Sequence, residues 1–472
     1  MGIVVSKPQH RVSLGSILDN SCETIQEISV RTVYRFGKII GAGHFGVVRE
    51  AFSSDSSLKV AIKSISKGAS DYSRAKVLRE VKMLKSVDHP NIIRFYEAYE
   101  DEKSIHVATE YCEGGHLWGR MLKKVKYTET EAQVLINQIL MAVNYLHLHK
   151  IVHRDIKPEN FLFISPDHDE LKLIDFGFAK KYNKFLSMHK QLGTSYYIAP
   201  EVLKGNYNQK CDEWGIGVIM YTMLYGEMPF YCQDLFFTFD KIKRGSFNTT
   251  SDSWNQISST GKDLIKKLLS VNPSKRISAK KALNHEWFHI FADNNPLIDS
   301  SLIVSFQEYC KSSLFCKELL NLMIKNITFD ELRELNKLFI KLDEENKGMI
   351  STKQLQKHLQ SSSISISEKK IKELLKEIDT DKDGNINYTE FLAAAVCSKH
   401  HFSQEEIWAI FDLFDIERKG FITANDIRRT IKREGCALDK DVESKLIKTI
   451  EKKEAKIDYK RFLEIFMNGI QK

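Results

Sequence analysis

His153-Arg154-Asp155-Ile156-Lys157-Pro158-Glu159-Asn160 and Asp379-Thr380-Asp381-Lys382-Asp383-Gly384-Asn385-Ile386-Asn387-Tyr388-Thr389-Glu390 are the two stretches on which the reading of this 472-residue chain turns. In the first, Asp155 is a carboxylate able to take a proton from a hydroxyl, and Asn160 offers an amide oxygen to a hard cation. The second places oxygen ligands at loop positions 1, 3, 5, 7, 9 and 12 with glycine at position 6, the spacing of a calcium-binding helix–loop–helix. Its ligands are Asp379, Asp381, Asp383, Asn385 through the backbone, Asn387 and Glu390. Four carboxylates sharing one loop repel one another unless a cation sits among them.

Upstream of the first stretch, Gly41-Ala42-Gly43-His44-Phe45-Gly46-Val47-Val48 fits G-x-G-x-x-G-x-V, with a strand pattern on each side. Glycines there let backbone amides approach phosphate oxygens without a side chain in the way. Val60-Ala61-Ile62-Lys63 supplies a lysine for the phosphates of a nucleotide. Residues 73–86 show helical spacing, with Val77, Leu78, Val81 and Leu84 on one face, and carry Glu80 as the partner that holds Lys63. Asp175-Phe176-Gly177 completes the set, Asp175 joining Asn160 as a magnesium ligand. The chemistry expected is phosphoryl transfer from ATP.

These five motifs, in this order, resemble the eukaryotic protein kinase family over residues 34–288. The resemblance implies a bilobal fold, protein substrates, and a catalytic set of Asp155, Lys63, Glu80, Lys157, Asn160 and Asp175. It implies a nucleotide pocket lined by Ile40, the glycine-loop residues 41–48, Ala61, Lys63, the gatekeeper Thr109, and the hinge residues Glu110 and Cys112. Ala199-Pro200-Glu201 is similar to the family's APE motif, with Arg276 as the partner of Glu201, and Asp212 is similar to the aspartate that supports the catalytic loop. Lys157 and Thr194 are similar to the serine/threonine-specific pattern. The stretch from Phe178 to Tyr197 has no acidic residue, so the partner of Arg154 is left open: a phosphate, for instance on Ser187, or none.

Beyond residue 329 a repeat appears. Gly348, Gly384 and Gly420 recur at equal intervals, each followed two residues later by an isoleucine (Ile350, Ile386, Ile422), and a fourth copy has Ala455 and Ile457. Four such units argue for two pairs of helix–loop–helix modules. Only the second keeps every ligand. The first has Lys347 at position 5 and Gln354 at 12, the third Lys419 and Asp426, and the fourth Ile450, Lys452 and Arg461 at positions 1, 3 and 12. A kinase region, a junction and four EF-hand units resemble the calcium-dependent protein kinases of plants and apicomplexan parasites. The implied fold class is α+β: a kinase fold followed by an all-α, calmodulin-like EF-hand domain. The expected segments are a flexible arm over 1–33, the kinase over 34–288, an autoinhibitory junction over 289–328, and the EF-hand domain over 329–472. The resemblance also implies an off state in which the junction obstructs the kinase, and an on state in which calcium-loaded hands seize it. The junction departs from the family's basic pattern, mixing Glu308 and Glu318 with Lys311 and Lys317, so a steric clamp stands beside a pseudosubstrate. His116 stands where basophilic relatives often have glutamate, while Glu159 remains for a substrate arginine.

The net charge of +8 and 28% charged residues suit an ordinary globular surface with a mild pull towards anions. Eight scattered cysteines without a CxxC pair suggest a reduced, cytoplasmic chain, and no apolar run is long enough to span a bilayer. The opening Met1-Gly2-Ile3-Val4-Val5-Ser6 fits the N-myristoylation pattern at Gly2. One such chain binds membranes with K of only about 10⁴ M⁻¹. Lys7, His10 and Arg11, or acylation of Cys22, would have to supply the second signal. A monomer with no nucleic-acid partner is expected. Two other readings stay open at this stage: a constitutive kinase with structural hands, and a calcium-sensing scaffold.

Overall fold

The computed structural model describes residues 25, 29–43, 46–53, 58–70, 72–182, 196–291, 300–324, 327–361, 367–380, 382–397, 402–415, 418–434 and 456–470. Gly2, Cys22, His44, Phe45, Ser187, Thr194, Asp381, Ile450 and Lys452 fall outside this set.

Five antiparallel strands form the small lobe: β1 (Tyr34–Gly43), β2 (Gly46–Ser53), β3 (Lys59–Ser66), β4 (Phe95–Glu100) and β5 (Ser104–Glu110), in the order β1-β2-β3-β5-β4. Side chains alternate across a strand, so burial of Val60 and Ile62 beneath Tyr34, Tyr99 and Ala108 turns Ala61 and Lys63 to the opposite face. The expected flexible arm needs correction at its end. Val30–Val33 is a short helix, and Val30 is buried with Tyr34 and Ala51, because the outer face of the sheet is apolar and must be covered. The helix Arg74–Lys85 buries Val77, Val81 and Leu84, with Leu78 partly buried beside them.

The large lobe is built around two helices. Glu129–Leu148 starts with a capping box between Thr128 and Glu131 and buries most of its apolar residues. Lys210–Tyr225 is buried all round, and Gly226 ends it in the left-handed conformation (φ 98°). A side chain at Gly215 would meet the Ile156 carbonyl at 2.6 Å, so glycine lets this helix press against the catalytic loop. Among the described residues, no helix is long and apolar enough to cross a membrane.

The junction forms two helices. Ser300–Lys311 and Leu314–Met323 are separated where the Ser313 hydroxyl accepts the Cys316 N–H and starts a new helix. Leu319, Leu322 and Ile324 are buried. Both helices lie in one apolar core with the EF-hand helices, separate from the kinase core. Ser300–Lys311 packs on Glu368–Ile378 and Tyr388–Val396. Leu314–Met323 packs on Tyr388–Val396, Gln404–Phe414 and Tyr459–Ile470. The hands pair through short ribbons, Met349–Ser351 with Asn385–Asn387 and Phe421–Ile422 with Ile457–Asp458, which adds strands to a domain expected to be all-α. The recurring isoleucines face each other there, Ile350 against Ile386 and Ile422 against Ile457, all four buried.

The first hand pair also rests on the kinase, behind the hinge. Arg94 Nη1 donates to the Ile324 carbonyl at 2.9 Å, and the Thr389 N–H donates to Asp88 Oδ2 at 2.9 Å. Asn144 donates to the Asn346 carbonyl at 2.5 Å, and Arg333 pairs with Glu170 at 3.1 Å. Gly348 abuts Tyr145 so closely that a Cβ there would lie 2.4 Å from the ring.

Candidate active site and calcium loops

Lys63 and Glu80 come from β3 and from the helix Arg74–Lys85. Both face the cleft because their neighbours Val60, Ile62, Val77 and Val81 take the apolar sides. Lys63 Nζ donates to Glu80 Oε1 at 2.8 Å. Burial pulls the Lys63 pKa down, but attraction from Glu80 and Asp175 outweighs it, and the ammonium is stabilised. Burial likewise pushes Asp175 up, and Lys63 with the Gly177 N–H (2.9 Å from Oδ1) overrides it, so the carboxylate stays ionised.

The catalytic loop is held from behind by Asp212, on the buried helix Lys210–Tyr225. Its two oxygens accept the N–H groups of His153 (2.9 Å) and Arg154 (2.8 Å), and Arg154 sits at φ 69°. In front, Lys157 Nζ lies 2.7 Å from Asp155 Oδ2, and Asn160 Nδ2 donates to the same oxygen at 2.9 Å and to the Asp155 carbonyl at 2.7 Å. That commits the Asn160 nitrogen and leaves its Oδ1 for a cation. Asp175 and Asn160 therefore present hard oxygens of the kind magnesium prefers, and the donor set fits the ion.

The glycine loop is a β1–β2 hairpin in which Gly43 pairs with Gly46. Gly46 adopts φ 139°, and a Cβ there would meet the Ser64 carbonyl at 2.2 Å, so no other residue fits. Val47 and Val48 pair with Ser64 and Lys63, next to Gly41 and Ala42; Ile40 precedes them and is exposed. At the back of the cleft Thr109 pairs with Ala61, its hydroxyl 3.4 Å from the Ala61 carbonyl. The Glu110 carboxylate turns away to Lys172 Nζ at 3.0 Å, so only its backbone is left for a nucleotide. Cys112 is buried, and burial pushes its thiol well up.

Other expected partners are also placed. Arg276 makes a bidentate pair with Glu201 at 2.6 and 2.9 Å in the core. Arg154 has partners within the chain, donating to the Phe178 carbonyl at 2.6 Å and to the Tyr207 hydroxyl at 3.4 Å. His116 binds the Glu159 carbonyl at 2.7 Å, while the Glu159 carboxyl is half-buried, its pKa raised by burial.

In the second EF-hand loop, Lys382 (φ 60°) and Gly384 (φ 85°) make the turn. The Glu390 carboxylate is aimed by the Thr380 N–H (2.9 Å), the Thr380 hydroxyl (2.6 Å) and the Asn387 N–H (3.0 Å). The Gly384 N–H donates to Asp379 at 3.0 Å, and the Asn385 N–H to Asp383 at 2.8 Å. Among the described residues no three acidic, cysteine or histidine side chains close on one point, and Asp381 is outside that set. The loop's donors are nevertheless all oxygen and mostly anionic, on a tight turn, which fits calcium. In the first hand, burial pushes Asp343 up to about 6, and Lys347 turns outward to Glu345.

Sequence reasoning missed His147, whose only signal was a histidine inside an apolar helical run. Its Nε2 lies 2.9 Å from Asp212 and its Nδ1 3.4 Å from Glu213. Burial opposes its charge, but Glu213 and Asp212 prevail and push its pKa up to about 9.

The comparisons agree with this geometry. Residues 34–288 match the family model for the protein kinase domain, and residues 332–396 match that for an EF-hand domain pair. Over 90% of its length the chain is 36% identical to calcium-dependent protein kinase 3 of Plasmodium berghei (strain Anka), covering 78% of that protein. Over 98% it is 32% identical to calcium-dependent protein kinase 9 of Arabidopsis thaliana, covering 85% of it. Over 94% it is 31% identical to calcium-dependent protein kinase 2 of Zea mays, covering 87% of it.

A pH dependence follows from His147. Since its pKa is raised on folding, its contribution is complete below about 6.5, the free value. The contribution is then lost as pH rises through about 9. Unfolding free energy of the kinase region should fall between pH 7 and 9.5 by up to about 3 kcal/mol. His147→Gln should flatten that fall in denaturant titrations; identical slopes for the two proteins would remove His147 as its source.

Proposed function

The chain belongs to the protein kinase family, in its calcium-dependent branch, and from that premise we propose how its own residues divide the work of a calcium-regulated serine/threonine kinase. The observation that carries the assignment is the 2.8 Å pair between Lys63 and Glu80 with Asp175 held ionised beside it. Lys63 receives the α- and β-phosphates of ATP, and residues 41–48 cover them. Asp175 and the Asn160 amide oxygen would hold magnesium, which would supply positive charge to the phosphates. Asp155 orients the substrate hydroxyl and takes its proton as the new oxygen–phosphorus bond forms and the bond to ADP breaks. Lys157 and Asn160 restrict the Asp155 rotamer, and Lys157 adds positive charge next to the transferring group. Ile40, Ala61, Thr109 and the backbones of Glu110 and Cys112 hold the base.

Calcium control runs through Asp379, Asp381, Asp383, Asn385, Asn387 and Glu390. Thr389, whose N–H reaches Asp88, directly precedes Glu390, so a ligand movement at Glu390 is transmitted to the kinase. The junction is here packed among the EF-hand helices, which corresponds to the captured, active arrangement. The inactive form is the one in which the first hand pair releases the junction and the junction obstructs the kinase. The protein works as a cytoplasmic monomer that visits membranes through a myristoyl group on Gly2.

Asp155→Asn should reduce peptide phosphorylation at least tenfold at unchanged ATP affinity; a smaller loss removes Asp155 from the proton-accepting role. Asp379→Ala together with Glu390→Ala should leave basal turnover intact and abolish stimulation in a calcium titration. Stimulation that survives would place the switch in another hand. Gly2→Ala should lose incorporation of labelled myristate; equal labelling of both proteins would rule out the lipid.

A further inference from the structure

The first and third hands both carry lysine at loop position 5, and the two lysines do opposite things. In the first, Lys347 reaches out to Glu345, because position 12 is the neutral Gln354, whose oxygen is already taken by the Ser351 N–H (2.9 Å) and hydroxyl (3.0 Å). In the third, Lys419 reaches inward to both oxygens of Asp426, at 3.2 and 3.1 Å. Asp426 occupies position 12, where a functional loop has its bidentate glutamate. It is buried, while Lys419 is partly so.

The third loop otherwise has the turn of the second. Arg418 (φ 51°) and Gly420 (φ 75°) match Lys382 and Gly384 at positions 4 and 6. Asp415 accepts the N–H groups of Lys419 (2.8 Å) and Gly420 (2.6 Å), as Asp379 accepts that of Gly384. Thr423 donates its N–H (2.9 Å) and hydroxyl (2.6 Å) to Asp426, so the acid at position 12 is aimed from the loop and neutralised by Lys419.

We propose that the third hand supplies its own cation: the Lys419 ammonium stands in for calcium at Asp426, so the lobe of residues 402–470 keeps hold of the junction helix Leu314–Met323 at every calcium concentration. Calcium sensing is then confined to the lobe of residues 329–397. This rests on the calcium-regulated reading above. Lys419 replaces an oxygen ligand with a fixed positive charge that repels a divalent cation, and Asp426 is one methylene short of the bidentate reach of glutamate. The lobe so held is in contact with the junction, which packs on Gln404–Phe414 and Tyr459–Ile470, with the Cys316 thiol 3.6 Å from the Ile465 carbonyl. The junction would thus never be free of the EF-hand domain; calcium would decide only whether the first lobe closes on it as well.

Two measurements on the full chain test this. Calcium titration calorimetry should count one ion for the unmodified protein, none for Asp379→Ala/Glu390→Ala, and two for Lys419→Asp/Asp426→Glu. An ion retained by the Asp379→Ala/Glu390→Ala protein and lost on further Asp426→Ala would overturn the proposal. Retention insensitive to Asp426→Ala would instead overturn the second-hand reading alone. Hydrogen exchange keeps the test open if the redesigned loop fails to fold. Adding calcium to the unmodified protein should slow exchange severalfold in residues 367–397 and leave residues 402–434 and 456–470 within twofold. Lys419→Met should accelerate exchange in 418–434 with or without calcium. Equal calcium protection of both lobes, or no effect of Lys419→Met, would sink the idea.

Discussion

Asp212 is a carboxylate sealed inside the large lobe, on a helix buried on every side. Burying such a charge costs several kcal/mol unless it is fully partnered. The His153 and Arg154 N–H groups and the His147 ring supply those partners, and in doing so they fix the backbone of the catalytic loop. The left-handed turn at Arg154 is tolerated because that anchor over-determines it. Everything in front of the loop, including the Lys157–Asp155–Asn160 arrangement, inherits its position from this buried acid.

The same rule, that a charge is placed by what neutralises it, orders the rest of the molecule. Lys63 is held by Glu80 and Asp175 across the cleft, and Glu201 by Arg276 in the core. Lys172, almost wholly buried, draws Glu110 towards the rear of the hinge, where the first EF-hand pair docks. Catalytic and calcium-binding regions therefore meet behind the hinge through polar contacts of Asp88, Arg94 and Asn144, with Phe329 and Ile340 adding a small apolar contact to the kinase core. Polar contacts of this kind are cheaper to break than a core, which suits a domain that must move.

In the hands the decisive variable is position 12. Glutamate there, aimed by Thr380 and Asn387, leaves a cage that needs a cation; glutamine caps its own helix; aspartate beside an inward lysine closes on itself. One loop scaffold thus gives three electrostatic outcomes, and the paired isoleucines keep the scaffold in place whichever outcome holds.

The sequence alone determined the features that depend on local spacing. Motif order located the cleft residues, the glycine at position 6 located the turns, and the repeat located the hands, because each rests on backbone geometry within a few residues. Tertiary structure decided the partners that lie far apart in the chain: His147 with Asp212, Arg154 with Phe178 and Tyr207, Arg94 with Ile324, Asp88 with Thr389. It also decided that Lys347 points out and Lys419 points in, although both stand at the same loop position. Lys419 turns in because a buried acid stands at position 12, whereas Lys347 faces the neutral Gln354 there and turns out to Glu345. Burial is a property of how the elements pack, which no local spacing encodes.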